Sequence, residues 1–244
     1  MNEAGGHMEI FPDPLALARH VAQWMTEAAL AAKGPFRVSL SGGSTPKTLY
    51  GLLASDEFSG RFPWALVSWY WGDERFVPYD HPDSNYRMTR EAMLAKAPVP
   101  PQNIHPVPVD GTPESAALRY EQTLRQAYGA ATLDPSRALF DLTLLGLGAD
   151  GHTASLLPGE PVLKERKRWV AAVSHGRPEI RITMTYPAIE SSRRIAFLIA
   201  GREKAAILQT ICAGGSQVPA ARIHPIGDLF WFVDRAAAEA HLQT

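Results

Sequence analysis

The residues best suited to chemistry stand at the end of an apolar run, FDLTLLGL (140–147), in the glycine-rich segment GLGADGH (146–152). Asp150 precedes His152 by two residues. Imidazole titrates near neutral pH and a neighbouring carboxylate can fix its tautomer, so this pair has the properties of a general base and its orienting group. The alternative interpretation is a structural histidine held in a turn by hydrogen bonds.

The same segment matches the pattern G-x-G-x-x-G, which in dinucleotide-binding proteins follows a strand and opens a helix. Here only residues 152–157 remain before Pro158, too few for the crossover helix of a βαβ unit. No clear strand ending in Asp or Glu follows roughly 20 residues later, as that fingerprint requires. We therefore interpret the segment as a histidine-bearing turn and expect no dinucleotide cofactor.

A second candidate is a glycine turn, SGGSTPK (41–47), which directly follows an apolar run. Its two glycines let the backbone bend sharply and present N–H groups to a ligand. Pro46 suits the first position of a helix, which predicts Thr45 as the N-cap. Together with the helix dipole this makes a phosphate cradle, although a capped helix after a tight turn explains the same residues. The candidate phosphate-binding residues are Gly42, Gly43, Ser44 and Thr45.

A third group of polar residues follows the aromatic run ALVSWYW (65–71). Asp73 and Arg75 stand there in WGDERFV, and Asn85 follows in HPDSN, where a second helix is predicted to begin. Arg75 could recognise an anion, Asp73 could orient a neighbouring group, and Asn85 could face the same pocket. A solvated turn is the alternative interpretation, since exposed charge clusters are common.

Composition limits the class of protein. The 244 residues include one cysteine, Cys212, which excludes an internal disulfide framework and a cysteine-based zinc site. A formal net charge of −1 argues against a broad nucleic-acid or anionic-membrane surface, but it leaves room for a focused cationic pocket. No apolar run approaches the ~20 residues of a membrane-spanning helix, and the start has no signal-peptide pattern. We expect a soluble cytoplasmic protein.

The elements that must position these residues alternate along the chain. Helical periodicity is clearest over 14–32, where apolar residues recur every three to four positions. The predicted strands are 36–41, 65–71, 140–147, 169–173, 181–185, 195–200 and 229–233, and the other predicted helices are 46–54, 85–95, 113–128, 202–211 and 236–242. This alternation predicts an α/β fold with a mostly parallel sheet covered by helices on both faces. Ligands of such sheets bind beyond the carboxyl ends of the strands, where all three candidate segments stand.

The segments SLSGGSTP (39–46), WGDERFV (71–77) and LLGLGADGHTASLLP (144–158) together resemble the glucosamine-6-phosphate isomerase/6-phosphogluconolactonase family. RITMTYPAI, IAFLIAGREKAAIL and LFWFVDRAA match in the same order, so the resemblance extends over nearly all the chain from residue 36. It implies a Rossmann-like three-layer sandwich of the sugar-phosphate isomerase type, as one domain over residues 1–244. Residues 1–8 are expected to be a frayed natural start or an added remnant.

The W-G-D-E-R and D-G-H-T-A-S-L segments look like the lactonase branch of that family. The resemblance therefore implies hydrolysis of 6-phospho-D-glucono-1,5-lactone to 6-phospho-D-gluconate, a step of the oxidative pentose phosphate pathway. It implies His152 as general base, oriented by Asp150 and also by Asp73, with no cofactor, metal or covalent nucleophile. The implied phosphate and sugar contacts are Gly43, Ser44, Thr45, Arg75, Arg181 and Lys204. It further implies a small-molecule substrate, a monomer or weak homo-oligomer, and no nucleic-acid or membrane partner.

Three alternatives stay open. The nearest is a glucosamine-6-phosphate deaminase/isomerase, which shares the glycine turn and a similar D-G-H segment. The second is a non-catalytic sugar-phosphate sensor, although the first ~35 residues offer one helix rather than a helix-turn-helix. The third is a nicotinamide-dependent oxidoreductase, which cofactor binding would reveal.

Overall fold

The computed structural model describes residues 6–174, 179–214 and 216–242. The strands are β1 (His7–Phe11), β2 (Phe36–Leu40), β3 (Val67–Trp71), β4 (Asp73–Arg75), β5 (Ile104–His105), β6 (Leu142–Leu145), β7 (Val170–Val173), β8 (Arg181–Met184), β9 (Arg194–Ile199) and β10 (Asp228–Asp234). The helices are α1 (Pro14–Leu30), α2 (Ser44–Leu53), α3 (Asn85–Thr89), α4 (Pro113–Tyr128), α5 (Tyr186–Glu190), α6 (Ala205–Cys212) and α7 (Glu239–Leu242).

Seven strands form a central parallel sheet in the order β1-β10-β9-β6-β2-β3-β5. All four residues of β6, the middle strand of this sheet, are buried. Both faces of the sheet are therefore covered, as the sequence predicts for a parallel sheet. The aromatic run is core: Trp69 and Trp71 in β3 are at most 1% exposed. The predicted α/β fold with a mostly parallel sheet flanked by helices is confirmed.

A second sheet of three antiparallel strands, β4-β8-β7, packs against α4. The sequence predicts no strand or helix between the strand over 65–71 and the helix over 85–95, and this is wrong for Asp73–Arg75, which form β4. Three charged residues carry no apolar alternation. Their strand exists because their backbone pairs with β8, a tertiary interaction that a local pattern does not reveal.

The predicted helices over 14–32 and 113–128 are confirmed as α1 and α4, each with a proline in its first turn and a side-chain N-cap. The start of α2 differs from the prediction: the N-cap is Gly43 rather than Thr45. Gly43 has φ 107°, a conformation that favours glycine, and it turns the chain early enough for Ser44 to begin the helix. Pro46 therefore occupies the third helical position, where its missing N–H still costs no hydrogen bond.

The expected frayed start is wrong for His7 and Met8. Both lie in β1, which pairs in parallel with β10 at the edge of the central sheet. Residues 1–5 lie outside the described residues. Among the described helices, none combines the length and the apolar content that crossing a membrane requires.

Candidate active site

A cleft of about 260 Å³ lies at the carboxyl ends of β2, β6 and β9. It brings together segments that are far apart in the sequence. Ten of the eleven predicted site residues line it: Gly42, Gly43, Ser44, Thr45, Asp73, Arg75, Asn85, His152, Arg181 and Lys204. The eleventh, Asp150, contacts the cleft through His152. The parallel sheet thus collects the three polar segments at one edge.

The His152 ring and the Asp150 carboxylate form a direct pair. Nδ1 of His152 lies 2.5 Å from Oδ1 of Asp150, and the backbone N–H of His152 donates to the same oxygen at 3.2 Å. Burial raises the pKa of the Asp150 carboxyl, but the hydrogen bonds from His152 outweigh it, and the pKa lies below its ordinary value. Because the carboxylate fixes the proton on Nδ1, Nε2 carries the lone pair and can accept a proton.

Glycines shape the turn that carries this pair. A Cβ on Gly148 would collide with Nδ1 of His152 and lie 2.7 Å from Oδ1 of Asp150. Gly151 has φ 81°, and a Cβ there would lie 2.5 Å from the Cβ of Val218. Two of the three glycines of the G-x-G-x-x-G pattern, Gly148 and Gly151, are therefore explained by the packing of the histidine turn.

The glycine turn after β2 forms another wall of the cleft. Ser44 and Thr45 occupy the first two positions of α2, so their backbone N–H groups have no partner within the helix. A Cβ on Gly42 would collide with Oδ1 of Asn85, whose Nδ2 donates to the carbonyl of Asp73 at 3.0 Å. The missing side chain at position 42 thus lets Asn85 reach the cleft. This arrangement can bind an anion at the positive end of α2.

Two buried tyrosines hold the ends of the strands beside the cleft. The Tyr50 hydroxyl, on α2, accepts from the N–H of Ser41 at 3.0 Å and donates to its carbonyl at 2.7 Å. The Tyr120 hydroxyl, on α4, makes the same pair of bonds with Trp71, at 2.8 and 2.9 Å. Each phenol satisfies both backbone groups of a residue where the chain leaves the central sheet.

Arg75 and Arg181 face each other across the β4–β8 pair. Arg181 donates to Oε1 of Glu179 at 2.6 Å, and Nη1 of Arg75 donates to the carbonyl of Asp83 at 2.5 Å. Hydrogen bonding by Arg181, with a further contribution from the charge of Arg75, holds the pKa of Glu179 below its ordinary value. The Nε of Arg75 is buried and has no hydrogen-bond partner among the described residues. The two guanidinium groups are suited to binding an anion in the cleft.

Asp73 lines the cleft, but its side-chain hydrogen bond is to Ser155 rather than to His152. The Ser155 hydroxyl, fully buried, donates to Oδ2 of Asp73 at 2.6 Å. The Ser155 backbone N–H donates to the hydroxyl of Thr183 at 3.2 Å. Asp73 therefore anchors the turn of His152 through Ser155. Sequence reasoning missed Ser155, although it stands in the D-G-H-T-A-S-L segment, because serine is too common to signal a buried contact.

Two other residues of the cleft region were also missed. Glu74 is 1% exposed and accepts hydrogen bonds from the backbone N–H groups of Arg75, Asn85 and Tyr86 and from the hydroxyl of Ser84. Burial raises the pKa of Glu74, partly offset by these backbone N–H groups. Ala154 lines the cleft and is the one described non-glycine residue with positive φ, at 47°. Neither property has a signature in one sequence.

The described residues contain no cluster of three or more His, Cys, Asp or Glu side chains that could hold a metal ion. The cleft instead combines a histidine–aspartate pair, an N-terminal helix turn and two arginines. These groups can position an anionic ligand and transfer a proton to or from it.

The fold and the position of the cleft define an α/β protein whose candidate site lies beyond the carboxyl ends of a parallel sheet. A family model described as glucosamine-6-phosphate isomerases/6-phosphogluconolactonase matches residues 12–231. The chain is 39% identical to a 6-phosphogluconolactonase of a Nostoc species, over 94% of this chain and 96% of the relative. It is 43% identical to a 6-phosphogluconolactonase of a Synechocystis species, over 86% of this chain and 87% of the relative.

A solved structure, a 6-phosphogluconolactonase from Trypanosoma cruzi, superposes with a TM-score of 0.81 at 29% identity. The superposition covers 98% of this chain and 97% of that one. The chain belongs to the glucosamine-6-phosphate isomerase/6-phosphogluconolactonase family.

Proposed function

We propose that this protein hydrolyses 6-phospho-D-glucono-1,5-lactone to 6-phospho-D-gluconate, in the oxidative pentose phosphate pathway. The observation that carries the proposal is the His152–Asp150 pair in a cleft that also holds a helix N-terminus and two arginines. The W-G-D-E-R and D-G-H-T-A-S-L segments of its sequence and its relatives named 6-phosphogluconolactonase support the lactone as substrate.

In this mechanism the oxygen of a water molecule attacks C1 of the lactone while Nε2 of His152 takes a proton from that water. The tetrahedral intermediate collapses by breaking the bond between C1 and the ring oxygen. The imidazolium then returns its proton to that oxygen, so the products are a hydroxyl and a carboxylic acid that ionises. Asp150 stabilises the imidazolium and keeps the ring oriented. Acid–base assistance of this kind contributes about 10²- to 10⁴-fold to a rate.

The phosphate is held by the first turn of α2 and by positive charge around the cleft. Gly42 and Gly43 shape the turn, while Ser44 and Thr45 offer backbone N–H and hydroxyl groups. Arg75, Arg181 and Lys204 supply charge, and Asn85 binds a sugar oxygen. These groups bind phosphorylated ground and transition states alike, so their removal raises KM more than it lowers kcat.

The test is the rate of acid release from freshly generated 6-phosphogluconolactone, compared with unphosphorylated gluconolactone, each corrected for spontaneous hydrolysis. We expect a large preference for the phosphorylated lactone and a loss of about 10²- to 10⁴-fold in His152→Ala. His224→Ala, at an exposed position outside the cleft, is the matched control. Full turnover by His152→Ala would refute the mechanism, and ammonia release from glucosamine-6-phosphate would establish a deaminase instead.

The enzyme acts in the cytoplasm on this small molecule, as a monomer or weak homo-oligomer and without nucleic acid. A metabolic substrate and a formal net charge of −1 support this part of the proposal. Light scattering on the eluting peak of a size-exclusion column checks the oligomeric state.

A further inference from the structure

A second concave region lies at the opposite end of the central sheet from the cleft. It is bounded by the starts of β2 and β9 and by the chain entering β6, and its volume is about 590 Å³. We call this region, lined among others by Lys33, Arg37, Arg137, Arg193 and Arg194, the basic groove. None of these residues contributes to the cleft.

The charges that line the basic groove are strongly unbalanced. Five described lining residues are cationic and one, Asp141, is acidic. The whole chain, in contrast, has 24 basic and 25 acidic residues. Gathering like charges in a concave surface raises the local potential and costs self-repulsion, which a bound anion relieves.

Two of the arginines are held in place by neighbouring side chains. Oδ1 of Asp141 forms an ion pair with Nε of Arg193 at 3.2 Å, while its Oδ2 accepts a hydrogen bond from the backbone N–H of Arg37 at 2.9 Å. The guanidinium of Arg137 stacks 3.8 Å from the ring centre of Tyr128, whose hydroxyl donates to the Arg137 carbonyl at 3.1 Å. A guanidinium that is already oriented loses less entropy when it binds a ligand.

Two further arginines have their charges available. Arg37 and Arg194 form no ion pair with any described residue, although Asp228 is the register neighbour of Arg194 on β10. Both are partly buried at the starts of their strands rather than extended into solvent. They therefore add charge to the basic groove that no ion pair among the described residues engages.

We propose that the basic groove is a binding site for a small polyphosphate, a metabolite that carries two or more linked phosphate groups. One guanidinium group can donate two parallel hydrogen bonds to two oxygens of a phosphate, so several oriented arginines can bind several adjacent phosphates. The groove exceeds the 260 Å³ cleft in volume, as a ligand larger than one sugar phosphate requires. The aromatic residues that line the groove, Phe36 and Tyr128, are at most 4% exposed. Their rings offer little surface for a ligand to stack on, so recognition depends on the phosphate groups.

The experiment is calorimetric titration with inorganic triphosphate and with orthophosphate at low salt. The groove variant is Arg37→Gln/Arg194→Gln, which removes two charges without breaking a described ion pair. The charge-matched control is Arg90→Gln/Lys96→Gln, at two exposed positions outside the basic groove. Arg75→Gln weakens anion binding in the cleft, so the triphosphate binding that this variant keeps can be assigned to the basic groove. Should the groove variant fold poorly, Arg137→Gln at an exposed position replaces it.

We expect triphosphate to bind at least about tenfold more tightly than orthophosphate, and the groove variant to weaken triphosphate binding by at least about tenfold. The control and Arg75→Gln should keep a triphosphate site of wild-type affinity. Equal binding by the groove variant and wild type, or loss of all binding in Arg75→Gln, would overturn the proposal. So would tighter binding of a short DNA duplex with the same dependence on Arg37 and Arg194, because the groove would then be a nucleic-acid surface.

Discussion

Arg75 and Arg181 are cross-strand partners in the antiparallel pair of β4 and β8, and both line the cleft. Like charges placed directly opposite each other destabilise a sheet by a few tenths of a kcal/mol up to about 1 kcal/mol. Glu179 pairs with Arg181, whereas the Nε of Arg75 has no described partner. The unfavourable pair is consistent with a surface shaped for an anionic ligand.

Replacing Arg75 by Gln should raise KM for the phosphorylated lactone by about 10- to 100-fold, because a charged hydrogen bond contributes about 1.5–3 kcal/mol. The free energy of unfolding should change by less than about 1 kcal/mol, because relief of the repulsion with Arg181 offsets the lost hydrogen bond to the Asp83 carbonyl. Steady-state kinetics on phosphorylated and unphosphorylated lactone, with urea unfolding beside them, test both parts. An equal loss on both substrates would argue that Arg75 does not contact the phosphate.

Gly148→Ala should separate the geometry of the histidine turn from the stability of the fold. The new methyl group would occupy the space of the His152 ring and displace it, and a shift of about 1 Å can cost about 10²-fold in rate. Gly60→Ala is the matched control, because no atom lies within 4 Å of a Cβ at that exposed position. Lactonase rates of the two variants provide the measurement. A Gly148→Ala enzyme of wild-type kcat would contradict the packing argument.

Ser155→Ala should lower the free energy of unfolding by about 1–3 kcal/mol, because Oδ2 of the buried Asp73 loses its hydrogen-bond donor. Urea unfolding measures the change. Ser136→Ala, which removes an exposed hydroxyl that donates only to Asp134, should stay within about 0.5 kcal/mol of wild type. Equal stability of both variants would show that the Ser155 contact is dispensable.

The pKa of the Asp150 carboxyl should lie below the ordinary value of about 3.9, because the hydrogen bonds from His152 outweigh the effect of burial. Carbon-detected NMR of the side chain measures the midpoint directly. In His152→Ala the ring donor is lost while burial remains, so the midpoint should rise.

The sign of the linked stability effect follows from that lowered pKa. The carboxylate contributes stability above its unfolded pKa, and the contribution disappears as pH falls through the lower folded pKa. An unchanged titration midpoint of Asp150 in His152→Ala would show that the imidazole ring does not lower the pKa of this carboxyl in the dissolved protein.

The sequence was most informative where residues suited to catalysis or binding stand beside glycines that mark a sharp turn of the backbone. The glycines around Asp150 and His152, and those before α2, mark sharp turns at strand ends, and such turns are legible in a single chain. Parallel-sheet topology then predicts that these turns meet at one edge. Local pattern and sheet topology thus predicted the glycine turn, the histidine turn and the segment with Asp73 and Arg75 as members of one site, whereas Arg181 and Lys204 were predicted from the family resemblance alone.

The same reasoning could not reveal contacts set by strand register. Arg75 opposes Arg181 because β4 pairs with β8, and the three residues of β4 carry no apolar pattern. The Ser155–Asp73 bond likewise joins segments whose proximity depends on that small sheet. Gly43 as N-cap was missed for a local reason: proline is favoured at the first helical position but is tolerated later in the first turn.

The tyrosine hydroxyls that bind Ser41 and Trp71 have a consequence for local unfolding. Tyr50 belongs to α2 and Tyr120 to α4, so the ends of β2 and β3 open only when the hydrogen bonds to these two buried hydroxyls break. The amides of Ser41 and Trp71 should then exchange with solvent as slowly as amides in the middle of the sheet, although they stand where the strands end. The strand ends beside the cleft would then share the opening free energy of the core, and substrate would enter a surface that is already rigid.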